Sequence, residues 1–278
     1  MKQLVPLHQS ALEMAREGLE GLVPAKWKAP FEECSSTVSY IGRNFFSLLL
    51  LSSYDCLDLD RDEVVFLGAI NNAVRMIVTA ADNIIDDEDK SVLPLKMPQG
   101  APRFRNSLAL IAWSMALTRL LNKGAKNNIL KKEDIAPSLN SLMNHLVAIG
   151  AIEAEEEAGV STIIPPKEVV SRIHEYKGGE LLALAFVIPR FVVKDSHSQK
   201  RLDTISEGIH QIGLALQHVD DITDLLIDID CHKHNLLRSE VFHNGTDEEK
   251  TYLKFLEEDR ERLETETSPY RQVLKISI

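Results

Sequence analysis

Two short acidic segments carry the residue types best suited to binding a cation. Asp82 and Asp86 follow the apolar run 74–81, and Asp220 and Asp224 follow the apolar run 212–219. On a helix, residues four apart share a face, so each pair would place two carboxylates side by side. Burial makes such a pair costly unless a cation or hydrogen bonds compensate. The spacing therefore predicts a cation at each pair.

Carboxylate oxygens without nearby cysteine or paired histidine favour a hard cation. Mg²⁺ in particular binds through one or two carboxylates together with substrate phosphates. If the two segments face each other, they would hold Mg²⁺ between them and the metal would bind a diphosphate. The alternative for residues 80–90 is a solvated helix end, although acids at that end oppose the helix dipole. For either pair alone, both interpretations stay open.

Helical periodicity covers most of the chain and positions both acidic segments. Apolar residues recur at three- and four-residue spacing, whereas strand signals are almost absent. Helices are predicted over residues 7–21, 62–81, 105–122, 138–158, 167–185, 199–228 and 247–265. Several of these helices are apolar nearly all round, which indicates burial against many neighbours. The pattern predicts an all-α fold, one domain over residues 1–278, in which the helical bundle can host a site.

The overall composition argues against several classes of partner. The 278 residues carry a net charge of -11, with 44% hydrophobic and 26% charged residues. This acidic balance disfavours a nucleic-acid partner and charge-driven binding to an anionic membrane. The most apolar run, residues 45–51, is far shorter than the roughly 20 residues of a membrane span, so no integral membrane segment is expected. Cys34, Cys56 and Cys231 are far apart, which is typical of a reduced cytoplasmic protein.

Four segments and one lysine together resemble the trans-isoprenyl diphosphate synthases, a family of the class I terpenoid synthase superfamily. Residues 40–51 resemble the early Gly-Gly-Lys-Arg stretch of the family, and residues 82–86 resemble its first aspartate-rich motif. Residues 176–181 are similar to its Lys-Thr segment. Residues 213–224, with a full Asp-Asp-x-x-Asp, resemble the second aspartate-rich motif and are the most specific part of the match. Lys233 resembles the lysine that follows that motif.

The resemblance implies a fold, a cofactor, a substrate and a set of site residues. The fold would be a bundle of the isoprenoid synthase type with a central apolar cavity, and the protein would form a homodimer. The substrate would be an allylic prenyl diphosphate (C10–C20), bound with two or three Mg²⁺ ions. The implied metal ligands are Asp82, Asp86, Asp220, Asp221 and Asp224. The implied catalytic residues are Asp82, Asp86, Lys177, Asp220, Asp224 and Lys233, and the implied diphosphate-binding residues are Arg43, Lys177, Gln217 and Lys233.

Departures from the family pattern bear on which reaction follows ionisation. Asn83 replaces the second aspartate of the first motif, Arg43 replaces a lysine, and Phe46 replaces an arginine. The Arg-Arg-Gly that follows the first motif is also missing. These lost cations hold isopentenyl diphosphate in elongating enzymes, so their loss favours a terpene synthase that cyclises its substrate. The alternative is a prenyltransferase, using either isopentenyl diphosphate or an acceptor without a diphosphate. A non-catalytic regulatory subunit is a further alternative.

Three other features have structural interpretations. The acidic run at Glu153, Glu155, Glu156 and Glu157 is interpreted as a solvated face, because charge runs usually face water. The alternative is that Glu153 or Glu157 joins the polar rim of the site. His218 is interpreted as a packing or second-sphere histidine rather than a metal ligand, and Arg75 as a member of a structural ion pair.

Overall fold

The computed structural model describes residues 2–27, 36–85, 90 and 102–258. Within these ranges all regular structure is helical, which confirms the all-α prediction. The helices in chain order are α1 (Val5–Gly18), α2 (Thr37–Arg43), α3 (Phe45–Asp55), α4 (Arg61–Ile85), α5 (Pro102–Lys126), α6 (Ile135–Glu157), α7 (Pro166–Glu168), a π-helix (Val169–Glu180), α8 (Leu181–Ala183), α9 (Pro189–Val192), α10 (Ser196–Thr223), α11 (Leu225–Asp230), α12 (Leu236–Asn244) and α13 (Asp247–Glu258). Short 3-10 helices occupy Lys2–Leu4, Ala25–Trp27, Lys132–Asp134 and Leu184–Phe186.

The chain divides into two compact units. The first unit comprises Met1–Leu142 and Ala185–Ile205, and the second comprises Met143–Leu184 and Ser206–Ile278. The single domain over residues 1–278, with its central apolar cavity, stays a prediction.

Helix α4 forms the core of the first unit. Most of its residues from 64 to 80 are buried, and it packs against α1, α3 and α5. At Gly68 an added Cβ would lie 2.8 Å from a methyl group of Leu51 and 2.9 Å from the Cβ of Ala11. The glycine therefore allows α1 and α3 to approach α4 closely. This burial confirms the expectation that an all-round apolar helix packs against several neighbours.

The ends of α4 explain the position of the first acidic segment. At the N-terminus, the Asp60 amide donates to the Glu63 carboxylate at 3.0 Å and the Glu63 amide donates to the Asp60 carboxylate at 2.9 Å. This reciprocal capping box satisfies two amides that lack partners within the helix. At the other end, α4 continues to Ile85, one turn beyond the predicted 62–81. Asp82 therefore lies within the helix rather than after it.

The second unit contains a small apolar core between α11, α12 and α13. Leu225, Ile229, Leu253 and Leu256 are buried together, and Val241 packs against them. A cavity of about 320 Å³ opens beside this cluster. Farther along α12, the Ser239 hydroxyl donates to the Ile164 carbonyl at 2.5 Å.

Two of the helices differ in the structure from what the sequence pattern predicts. The predicted helix 199–228 is interrupted, because α10 ends at Thr223 and Asp224, with φ -104° and ψ 7°, is the N-cap residue of α11. The predicted helix 167–185 is a π-helix over Val169–Glu180, 12 residues long. A π-helix bonds residues i and i+5 and usually occurs as a single turn, frequently at functional sites. Both differences affect which side chains share a face.

Two helices in the described part of the chain are long and apolar enough to cross a membrane by length and composition alone. They are Arg61–Ile85, with 72% of its apolar window buried, and Lys132–Glu157, with 17% buried. The first is the core helix α4 described above. Core helices of soluble proteins pass the same test, so these two helices are weak evidence and no membrane segment is evident. The absence of an integral membrane segment stays a prediction, because Lys132–Glu157 meets the length and composition criteria and is mostly not buried.

Candidate active site

The second acidic segment forms a row of carboxylates along one side of α10 and α11. The Asp224 amide donates to the Asp220 carbonyl and the Asp228 amide to the Asp224 carbonyl, both at 2.8 Å. The four-residue backbone bonding thus continues across the helix break, and the three aspartates follow one another at one-turn intervals. Asp220 is exposed and Asp224 is half-buried. The predicted placement of Asp220 and Asp224 on one face agrees with this arrangement.

Two carboxyl groups in this row, those of Asp220 and Asp228, have raised pKa values. Partial desolvation raises the pKa of Asp220, and the charges of Asp224 and Asp221 raise it further. Burial raises the pKa of Asp228 to about 6, against the effect of a hydrogen bond from the Asn235 side chain. A raised carboxyl pKa means that the row holds its negative charge at an energetic cost. A cation would relieve this cost, as the sequence predicts.

Asp221 has a different environment from its neighbours. Its side chain is buried, and its Oδ2 lies 2.8 Å from His174 Nε2 and accepts from the Leu236 amide at 2.5 Å. Gln217 contacts both carboxylates, at 3.3 Å to Asp220 and 3.4 Å to Asp221. Hydrogen bonds therefore compensate for the burial of the Asp221 charge. Metal binding by Asp221 stays a prediction.

A pair of histidines lies behind the second motif. The buried His174 ring packs edge-on against His218, with ring centroids 4.7 Å apart. His218 Nδ1 is 2.7 Å from the Leu214 carbonyl, to which it donates. The interpretation of His218 as a packing histidine agrees with this geometry. His174 was not predicted, although it lies three residues before Lys177 on the same helix.

Lys177 extends from the π-helix to two carboxylates of α6. Its Nζ lies 2.6 Å from Glu156 and 3.2 Å from Glu153. Burial lowers the pKa of Lys177, but the two carboxylates outweigh burial and raise the pKa above its ordinary value. The lysine is therefore fully protonated at neutral pH. Its charge also acts on Asp220, where it opposes the rise in pKa.

Two glycines bring the lysine-bearing helix against the second motif. A Cβ added to Gly213 would lie 2.2 Å from the Gly178 oxygen, and one added to Gly178 would lie 2.5 Å from the Gly213 oxygen. Both distances are far below van der Waals contact, so the two backbones approach this closely only because neither residue has a side chain. Lys177 is therefore one residue in sequence from the contact with α10, the helix that carries Gln217 and Asp220.

Lys233 lies in the turn between α11 and α12. Its amide donates to the Asp228 carbonyl at 2.8 Å, and the preceding His232 has a left-handed φ of 51°. Burial raises the pKa of Glu153, whereas the charges of Lys177 and Lys233 act in the opposite direction. Both predicted diphosphate-binding lysines therefore act on one carboxylate within the second unit.

The acidic run on α6 contradicts its interpretation as a wholly solvated face. Glu156 is buried, Glu153 is half-buried, and both contact Lys177, whereas Glu155 and Glu157 are exposed. Glu153 therefore joins the polar cluster, as the alternative proposed, but Glu157 does not. The missed residue is Glu156, and the only sequence signal for it was its helical spacing of three from Glu153.

The first acidic segment is described in part. Asp82 is partly exposed and pairs with Lys90, whose Nζ is 2.7 Å from its Oδ2. Asp86 lies outside the described residues. Asn83 is buried, donates to the Lys90 carbonyl at 2.8 Å and accepts from the Lys90 amide at 2.9 Å. An aspartate could not donate this bond, which gives a structural reason for the departure at Asn83.

Arg43 and Arg75 are the basic residues of interest in the first unit. Arg43 is exposed at the last position of α2. Arg75 is on α4, seven residues before Asp82, and its Nε is buried without a hydrogen-bond partner. No carboxylate among the described residues pairs with Arg75, so the ion-pair interpretation is not supported there. Burial, together with the Arg75 charge, lowers the pKa of His8 to about 4.

A second group of metal-ligand side chains lies elsewhere in the second unit. Ligand atoms of Glu175, Glu180 and His210 lie within 4.8 Å of one another. His210 is 3.2 Å from Glu175, and His145 is 2.9 Å from Glu180. These two histidine–carboxylate pairs account for the cluster by themselves.

Comparison with solved structures places this arrangement in a known fold. The chain resembles the geranylgeranyl pyrophosphate synthase of Lactobacillus brevis, with a TM-score of 0.58 and 12% identity over 98% of this chain and 87% of that one. It also resembles the geranylgeranyl pyrophosphate synthetase of Pyrococcus horikoshii, with a TM-score of 0.57 and 16% identity over 98% and 85% of the two chains. The chain has the isoprenyl diphosphate synthase fold.

A third structure with this fold, a farnesyl/geranylfarnesyl diphosphate (FPP/GFPP) synthase from Zymomonas mobilis, matches with a TM-score of 0.55 and 16% identity over 98% of this chain and 97% of that one. No protein-family model and no curated protein matches the sequence. The assignment of the isoprenyl diphosphate synthase fold therefore rests on the likeness of the structures, and it agrees with the motif resemblance.

Proposed function

We propose that this protein is a Mg²⁺-dependent prenyltransferase that ionises an allylic prenyl diphosphate and joins its prenyl group to isopentenyl diphosphate. The observation that carries the proposal is the electrostatic interaction of Lys177 with Asp220, the first aspartate of the row, in a chain with the isoprenyl diphosphate synthase fold. Polar and cationic groups of this kind stabilise the charge that develops on a leaving diphosphate. Lys177 and Lys233 would bind its oxygens.

The residues present fit a Mg²⁺ requirement. In the second unit, Asp220 and Asp224 would hold Mg²⁺, because hard cations prefer carboxylate oxygens. Metal binding by Asp82 and Asp86 in the first unit is proposed on the same chemistry. Bound Mg²⁺ neutralises charge on the diphosphate and so makes it a better leaving group. The raised pKa of Asp220 fits a site that is completed by a cation.

An apolar stripe beside Asp220 suits a prenyl chain. Ile212, Leu216 and Val219 occupy successive turns of α10 and are 40%, 41% and 57% exposed. Exposed apolar stripes of this kind often mark ligand-binding surfaces. The apolar side chains of the stripe would help to keep water from the allylic cation of a prenyl chain bound there.

Transfer accounts for the observations better than cyclisation, which the sequence favoured. The three solved structures compared above are all named as prenyl diphosphate synthases, and none supports a terpene cyclase. Cyclisation was favoured because cations for a second diphosphate were missing from the sequence motifs. Arg75 supplies a half-buried cation with a fully buried Nε, and no described carboxylate is its partner. A buried charge of this kind is costly until an anion compensates it, and the diphosphate of isopentenyl diphosphate would do so.

In the proposed reaction, the C–O bond of the allylic diphosphate breaks and pyrophosphate leaves. The double bond of isopentenyl diphosphate then forms a C–C bond to the allylic cation. Loss of one proton gives a prenyl diphosphate longer by one isoprene unit. The two lysines remain bound to the pyrophosphate throughout.

A substrate panel tests the proposal. The protein is incubated with Mg²⁺ and geranyl, farnesyl or geranylgeranyl diphosphate, each with and without isopentenyl diphosphate. Longer prenyl diphosphates are expected only when isopentenyl diphosphate is present, and chelation of Mg²⁺ should abolish them. Hydrocarbons or alcohols formed without isopentenyl diphosphate would show cyclisation instead. Absence of any product would refute catalysis by the isolated chain, and a non-catalytic regulatory subunit would be the remaining interpretation.

Variants of α4 test the acceptor site separately. Arg75→Met is expected to raise the KM for isopentenyl diphosphate at least tenfold and to change the KM for the allylic substrate little. Arg61→Met, at the exposed start of the same helix, is the matched control and should behave as wild type. An unchanged KM in Arg75→Met would contradict the assigned role of Arg75.

A further inference from the structure

Glu156 is the most deeply buried carboxylate among the charged residues around Lys177. Its side chain is 1% exposed, compared with 28% for Glu153. A buried carboxylate is strongly destabilising unless it is paired and hydrogen-bonded. The position of Glu156 within an otherwise exposed acidic run therefore needs a specific compensating set of contacts.

Both oxygens of Glu156 are engaged, each by a different structural element. Oε2 lies 2.6 Å from Lys177 Nζ on the π-helix, and Oε1 accepts from the His234 amide at 3.0 Å. The His234 amide is the peptide nitrogen directly after Lys233. One carboxylate on α6 thus contacts one of the predicted diphosphate-binding lysines and the backbone adjoining the other.

The two contacts restrict the lysines in different ways. A charge-assisted bond of 2.6 Å is short and strongly directional, so it fixes the end of the otherwise flexible Lys177 side chain. The amide bond fixes the turn that carries Lys233, where His232 has a left-handed backbone. Glu153 contacts the same Lys177 Nζ at 3.2 Å and is more exposed, so it contributes less to this restraint.

We propose that Glu156 is a positioning residue that orients both diphosphate-binding lysines. This inference rests on the proposed function, because it assigns the two lysines to the departing diphosphate. Glu156 does not itself contact the substrate. It holds Lys177 and the Lys233 turn in place before the substrate binds, so that little conformational entropy is lost on binding.

Substitution to glutamine separates the two contacts. In Glu156→Gln the amide oxygen can still accept from His234, but the amide nitrogen would oppose the Lys177 ammonium, because both are donors. The expected result is a pyrophosphate affinity at least tenfold weaker, measured by calorimetry with inorganic pyrophosphate and Mg²⁺. The kcat with the allylic substrate should fall as well, while the KM for isopentenyl diphosphate stays unchanged. Glu157→Gln, one residue away and exposed, is the control and should bind pyrophosphate within twofold of wild type.

A double-mutant cycle tests whether Glu156 acts through Lys177. In a Lys177→Met background, Glu156→Gln is expected to cause little further loss of pyrophosphate affinity. Glu156→Asp, which keeps the charge on a shorter side chain, should recover part of the affinity lost in Glu156→Gln. Circular dichroism melts show whether each variant is folded under the assay conditions.

The outcomes distinguish this inference from the proposed function. Wild-type protein that binds pyrophosphate and elongates substrates, together with Glu156→Gln equal to Glu157→Gln, overturns the positioning role alone. Additive losses in the double variant, or a Glu156→Asp variant no better than Glu156→Gln, also overturn it. A wild-type protein that neither binds pyrophosphate nor turns over substrate refutes the proposed function first.

Discussion

Replacement of Gly213 by alanine tests the contact that joins the π-helix to the second motif. The new methyl group would lie 2.2 Å from the Gly178 oxygen, whereas C···O contacts normally begin at about 3.3 Å. The two backbones would have to separate by about 1 Å. Overpacking of this kind typically costs 1–3 kcal/mol, and here the opposing atom is backbone, which cannot change rotamer. We therefore take the upper end of this range, and after the helix-propensity gain of about 1 kcal/mol for alanine over glycine we expect a net loss of about 2 kcal/mol.

Gly208→Ala is the matched control, because Gly208 is on the same helix and an added Cβ there has no neighbour within 4 Å. This variant is expected to gain about 0.5–1 kcal/mol from helix propensity alone. Urea unfolding followed by circular dichroism would measure both changes. The two substitutions should therefore move the midpoint in opposite directions. A Gly213→Ala protein as stable as Gly208→Ala would refute the close approach of the two backbones.

Three further substitutions have defined outcomes. Burial raises the pKa of Asp228 to about 6, so the charge of Asp228 destabilises the folded state increasingly as the pH rises from about 4 to 6. The free energy of unfolding of Asp228→Asn should therefore exceed that of wild type by about 1 kcal/mol at pH 8 and should equal it near pH 3. This figure is reduced from about 1.4 kcal/mol per pKa unit because the group is partly exposed. Equal gains at both pH values would contradict this. Asn83→Asp, which loses its bond to the Lys90 carbonyl, should lower the free energy of unfolding at neutral pH by about 1–3 kcal/mol, as measured in urea. Tyr54→Phe leaves the Ala185 carbonyl, bound at 2.6 Å, without its donor and should cost about 1–2 kcal/mol; an unchanged melting temperature would count against that bond.

The sequence pattern predicted the long helices well because their apolar faces are buried. Helix α4 is the clearest case, since its apolar residues pack against three neighbours in the first unit. Short helices were missed because seven to eleven residues, as in α2 and α3, give too few turns for a clear period. The break at Asp224 was missed as well, since both flanking segments are helical and no proline or glycine marks it.

The sequence predicted the main residues of the candidate site but not the residues that hold them in place. The aspartate row and Lys177 follow from motif spacing, because i and i+4 residues share a face in any helix. The burial of Glu156 depends on Lys177, which is 21 residues away in sequence, and a local charge run cannot indicate such a partner. The structural role of Asn83 was missed for the same reason, because it depends on hydrogen bonds to the Lys90 backbone. Tertiary contacts of this kind are not encoded in periodicity.

The wide helical turns at Val169–Glu180 make the angular position of Lys177 sensitive to chain length. Removal of one residue upstream, such as Val170, would rotate every later side chain by roughly 100° if the segment relaxed to ordinary α-helix. The ammonium would then point away from α6, and Gly179 would take the place of Gly178 at the crossing with α10. Single-residue indels here should therefore be far less tolerated than point substitutions, which makes this segment a sensitive place to look for drift among more distant homologues.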